Sequence, residues 1–129
     1  MATSRAMRPF SMPVRSSNSS VLKWPDAAEV LAAARRWAAA QRDSPLRPMR
    51  IGVFGSYARG NAGVGSDLDL VAVVNETGEP FERRASKWPL ETLPVPAEIL
   101  VYTDAEWRAL VRGDSRFGRM LRDDVLWLT

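Results

Sequence analysis

The sequence predicts a small α+β domain, a mixed β-sheet of three to five strands with helices packed mainly on one face. Three observations carry this. Runs at 49–54, 67–74 and 97–102 have strand length and are rich in Val, Ile and Leu. Stretches at 26–42 and 103–112 repeat apolar residues at helical spacing. A length of 129 residues suits one core, placed here as a single domain over 21–129.

Residues 1–20 are rich in Ser and Arg, carry Pro9 and Pro13, and hold few large apolar groups. Such a segment buries too little to offset chain entropy, so it reads as a disordered basic leader. A helix follows over 26–42. Asp26 and Glu29 have capping-box spacing, and Val30, Leu31, Ala34, Trp37 and Ala38 form one apolar face. Pro45 and Pro48 end it. Residues 75–96 are punctuated by Gly78 and four prolines, with a short helix near 80–87 whose Arg83, Arg84 and Lys87 read as surface charges. Thr103 and Glu106 form a second capping box, and that helix runs to Arg112. A further helix spans about 115–122. Asp123-Asp124 read as a turn into the closing apolar segment Val125–Leu128.

The chain is organised around residues 50–74. Ile51, Val53 and Phe54 make a strand that Gly55-Ser56 interrupts. Glycine reaches the positive φ of a tight turn and lets another group approach the backbone. Tyr57 to Gly60 start a short helical turn, whose first N–H groups and Ser56 hydroxyl suit an anion. After a loop at 61–66, Asp67 and Asp69 open the second strand, two residues apart and so on one face. Paired carboxylates on one face repel unless a cation neutralises them, and as hard oxygen ligands they suit Mg²⁺ or Mn²⁺. On the third strand Glu98, Leu100 and Tyr102 share one face and Ile99 and Val101 the other. A glutamate opening an apolar strand is expected to be paired or metal-bound if buried.

In these motifs the chain resembles the DNA polymerase β-type nucleotidyltransferase superfamily, most closely its minimal single-domain bacterial members. Gly55-Ser56, Arg59-Gly60 and Asp67-Leu68-Asp69 match the pattern residue by residue. The resemblance implies a metal-dependent nucleotidyltransferase that uses ATP or another NTP with two Mg²⁺ ions, Mn²⁺ being a substitute. Asp67, Asp69 and Glu98 would be the catalytic and metal residues, and Gly55, Ser56 and Arg59 the nucleotide-binding residues. Small members of this kind are similar to antitoxins of HEPN/minimal nucleotidyltransferase toxin–antitoxin pairs, which adenylylate a helical toxin partner. That implies AMP transfer to a hydroxyl of such a partner. Two alternatives stay open. One is a non-catalytic antitoxin that neutralises its partner by contact. The other is a small-molecule, aminoglycoside-like nucleotidyltransferase, disfavoured because those enzymes usually add a helical acceptor domain.

Composition narrows the chemistry further. With no cysteine there is no disulfide or thiolate metal site, and with no histidine no imidazole base or ligand. Acid–base work therefore falls chiefly to carboxylates. Residues 1–23 hold four basic residues and no acid against a net charge of +3, so the rest of the chain is −1. That distribution does not suggest a nucleic-acid partner. No apolar run reaches membrane-span length. The expectation is a cytoplasmic protein, with a homo-oligomer left open.

Overall fold

Asp26 opens helix α1 (Ala27–Arg42) by the expected exchange of bonds. The Glu29 N–H donates to Asp26 Oδ1 at 2.8 Å, and the Asp26 N–H donates to Glu29 Oε1 at 2.9 Å. This satisfies donors that a helix start leaves unpaired. The computed structural model describes residues 24–129; the leader expected at 1–20 lies outside them. Strand β1 (Pro48–Phe54) is followed by a single helical turn, α2 (Ser56–Arg59), and by strand β2 (Leu68–Val74). The crossover 75–96 contains α3 (Phe81–Arg84) and two 3₁₀ turns, Ala85–Lys87 and Leu90–Thr92. Strand β3 (Ala97–Thr103), helices α4 (Asp104–Arg112) and α5 (Arg116–Asp124), and the short strand β4 (Leu126–Trp127) complete the order.

The four strands lie in the order β3-β2-β1-β4. β1 is antiparallel to both β2 and β4, while β2 and β3 are parallel. A parallel pair needs a long crossover, which residues 75–96 supply. The Trp37 indole N–H donates to the Pro89 carbonyl at 3.0 Å, and Trp37 packs on Trp88 with ring centroids 6.0 Å apart. The crossover is thereby pinned to α1.

The mixed α+β sheet is as expected, but the helices divide between its two faces. On one face Val30, Ala34, Trp37 and Ala38 of α1 pack against Ile51, Val53, Leu68, Leu70, Ala72, Ile99 and Val101. On the other, Trp107 of α4 and Leu121 of α5 cover Val71 and Val73. The cause lies in β2, where every residue from Leu70 to Val74 is buried. A strand covered on both sides reads as a continuous apolar run rather than an alternating one. Asp123 and Asp124 do not form the expected turn but end α5, where Asp123 meets Arg122 at 3.1 Å. Among the described residues no helix is long and apolar enough to cross a membrane.

Arg84 also departs from its expected surface role. It is buried, donating to the carbonyls of Glu79 and Val101 at 3.0 Å each and to both carboxylate oxygens of Glu106, at 2.6 and 3.2 Å. Glu106 also completes the Thr103 capping box at the start of α4. The Arg84 hydrogen bond, with the Thr103 backbone bond, holds the Glu106 carboxyl below its ordinary 4.5. A lowered folded value contributes stability above the unfolded value and loses it as pH falls through the folded one. Glu106→Gln keeps a capping-box side chain but removes the charge opposite a buried guanidinium. Because Glu106 is partly exposed, the loss is discounted to about 1–2 kcal/mol at pH 7. Urea unfolding across pH should show that difference shrinking below about 4.5, where wild-type Glu106 protonates. A difference independent of pH would contradict the ion-pair account.

Candidate active site

Register brings the singled-out carboxylates to one end of the sheet. Asp69 faces Glu98 across the parallel β2–β3 pair, and Phe54 lies opposite Asp69 on β1. Partners in register share a face, so Asp69, Glu98 and Phe54 stand on the face that α4 and α5 cover farther along, and Asp67 immediately precedes β2. Glu98, Leu100 and Tyr102 share that face, as the period-two reading requires. Asp67 and Glu98 are exposed and Asp69 is half-buried. Glu98 is therefore not a buried acid in need of a partner. What couples it to the site is its position opposite Asp69.

The electrostatics follow from that placement. Burial, then the charges of Glu98 and Asp67, push the Asp69 carboxyl above its ordinary 3.8, while Arg59 pulls the other way. A raised folded value means stability that is complete below the unfolded value and lost as pH rises through the folded one. At neutral pH ionised Asp69 is thus a cost to the fold, which a bound cation would offset. Among the described residues no three acidic side chains are placed to hold one ion together. The donor set still fits magnesium, which is commonly held by one or two carboxylates with substrate phosphate and water completing the shell. Asp67 and Asp69 supply such a pair at the start of β2, near enough for the Asp67 charge to act on Asp69.

The glycine turn abuts these carboxylates. Gly55 has φ +76°, and a Cβ built there would lie 2.5 Å from Asp69 Oδ2. The position demands glycine twice, for its left-handed backbone and for the approach of the carboxylate. The Gly55 carbonyl accepts from the Ala58 and Arg59 N–H groups, so α2 starts at once and the Ser56 and Tyr57 amides lie in its unpaired first turn. Ser56 is half-buried and Arg59 exposed. Tyr57 is buried, and its hydroxyl lies 3.5 Å from the Ser66 carbonyl to which it donates. The Gly63 N–H donates to Ser66 Oγ at 2.9 Å, closing the loop before Asp67. The structure thus groups Gly55, Ser56, Arg59, Asp67, Asp69 and Glu98 around one end of β1, β2 and β3.

The sequence matches the family described as Nucleotidyltransferase domain over residues 37–119, more than half of the chain. The chain belongs to the nucleotidyltransferase domain family. The match spans the glycine turn, both aspartates and Glu98. The fold is also similar to the crystal structure, at 1.40 Å, of a candidate nucleotidyltransferase from Sulfolobus solfataricus. The TM-score is 0.55 at 18% identity, covering 78% of this chain and 80% of that one. No curated protein matches the sequence.

Motif reading passed over two aromatic groups in this nucleotidyltransferase domain. Phe54 sits beside Asp69, and Phe117 of α5 packs edge-on against it, with centroids 5.9 Å apart and planes at 83°. The β1–β2 register puts Phe54 opposite Asp69, and nothing local in the sequence linked it to a residue 63 positions away.

The Gly55 contact gives a stability test. Gly55→Ala should cost about 1–3 kcal/mol from the positive-φ, extended-ψ backbone alone, and more with Asp69 in place. In a double-mutant cycle with Asp69→Ala, the cost of Gly55→Ala should fall by roughly 0.5 kcal/mol or more. Strict additivity would show that the methyl and the carboxylate do not meet.

Proposed function

We propose that this nucleotidyltransferase domain is a metal-dependent enzyme that transfers AMP from ATP to a hydroxyl of a partner protein. The observation carrying the reading is the meeting of the Asp67/Asp69 pair, Glu98 and the Gly55-Ser56 turn at one end of the sheet. Asp67 and Asp69 would hold Mg²⁺, which when bound neutralises charge on the triphosphate and acidifies the acceptor hydroxyl.

The chain's own residues have distinct tasks in this scheme. The Ser56 hydroxyl and the first-turn amides of α2 hold the β- and γ-phosphates, with Arg59 adding positive charge. Glu98 takes the proton of the acceptor hydroxyl as that oxygen bonds to the α-phosphorus. The bond from α-phosphorus to the bridging oxygen breaks, and pyrophosphate leaves with the electron pair. Much of the catalytic task is alignment and charge neutralisation rather than covalent chemistry.

Exposure supports a macromolecular acceptor, since Asp67 and Glu98 both stand open at the rim. A HEPN-type helical toxin, a partner class suggested by the motif resemblance, would present a Tyr, Ser or Thr hydroxyl there. The contact-only antitoxin reading draws on a different observation, the lack among the described residues of three acids placed around one ion.

Incubation with labelled ATP, Mg²⁺ and the product of the adjacent gene, followed by mass spectrometry, separates the two. Wild type should add AMP to the partner. Glu98→Gln should slow transfer by about a hundredfold or more while retaining ATP binding. Asp67→Asn/Asp69→Asn should lose both. A partner neutralised by the triple carboxylate variant without gaining mass would replace the enzyme reading with contact alone.

A further inference from the structure

We infer that Phe117, backed by Phe54, is the surface on which the donor's nucleobase stacks. The inference rests on the functional reading above and extends it to the part of the substrate that the motifs do not address. In that reading the leaving pyrophosphate lies at the Gly55-Ser56 turn, the α-phosphate at Asp69 and the acceptor at Glu98. In an in-line displacement the entering and leaving oxygens occupy opposite ends of one line. That line crosses the ends of β1, β2 and β3, in the order the sheet sets. The nucleoside is a third substituent on the same phosphorus, so it must project to the side of the line.

One such side is the sheet face that carries Asp69. At the Asp69 register that face presents Phe54, and above Phe54 stands Phe117. Phe117 remains 38% exposed although α5 is anchored nearby through buried Leu121. Its edge-to-face packing on Phe54 occupies only part of the ring and leaves apolar aromatic surface in solvent. The other exposed phenylalanine among the described residues, Phe81, belongs to the opposite end of the sheet, where it packs on Tyr102 at 5.3 Å. Phe117 is therefore the exposed phenylalanine ring on the Asp69 side of that line, and it is the one assigned to the nucleobase.

Stacking on a ring is tolerant of base identity, because every base has a π-face, but it favours the larger purine. The site should accordingly rank nucleotides by ring area rather than by base-edge pattern. Calorimetry in Mg²⁺ with ATP, CTP and inorganic tripolyphosphate reads this directly. Phe117→Ala should weaken ATP about tenfold, CTP less, and tripolyphosphate not at all. Phe117→Leu, which keeps apolar bulk without a π-face, should behave like Phe117→Ala, and Phe117→Trp should restore ATP affinity. Unchanged ATP affinity in Phe117→Ala and Phe117→Leu, or equal weakening of ATP and tripolyphosphate, would overturn the assignment and leave the phosphate site standing. A wild type that binds neither ATP nor tripolyphosphate would overturn the functional reading and this inference together.

Discussion

The parallel register of β2 and β3 sets Asp69 opposite Glu98, with Asp67 two residues before it at the strand's entry. That is an unfavourable arrangement for an isolated chain, since like charges share one strand end and Asp69 is half-buried among them. The fold imposes it through apolar packing. Leu68, Leu70 and Ala72 enter one core while Val71 and Val73 enter the other. A slip of one residue would exchange those sets and put Asp69 on the α1 face, so burial on both sides locks the register. The repulsion at the strand end is held in place by the cores behind it.

The same constraint shapes the surroundings. Gly55 has no side chain because Asp69 occupies that space, and the turn it forms starts α2 immediately beside the carboxylate. Tyr57 reaches down into the α1 core and back to Ser66, tying the turn to the loop that delivers Asp67. Phosphate-type and cation-type functions thus become neighbours through backbone geometry, without long side chains spanning the site.

Much of this was legible in the sequence, for identifiable reasons. The two capping boxes, at Asp26 and Thr103, are local patterns and appear as read. The strand before Gly55 and the aspartate strand are separated only by the α2 turn and a short loop, and their pairing needs no distant information. The period of two put Glu98, Leu100 and Tyr102 on one face of β3, as the structure has them, while the nearness of Glu98 to the aspartates followed from the motif resemblance and needed the β2–β3 register to appear. What failed was non-local. The burial of Arg84 depends on Val101 and Glu106, which lie 17 and 22 residues away and become neighbours only after β3 and α4 are placed. The exposure of Glu98 depends on which helices reach the strand end. The division of helices between two faces was written in the unbroken apolar run of β2, which a period-two expectation understates.

Burial first, then the charges of Glu98 and Asp67, hold the Asp69 carboxyl above its ordinary value, and a cation at the site would offset that cost. Titration of the Asp69 carboxyl by NMR, in wild type and in Glu98→Gln, tests it most directly. The account predicts an Asp69 value above 3.8 in the absence of divalent ions, a fall toward 3.8 when Glu98 loses its charge, and a fall in wild type on addition of Mg²⁺. An ordinary Asp69 value, indifferent to both Glu98→Gln and Mg²⁺, would contradict it.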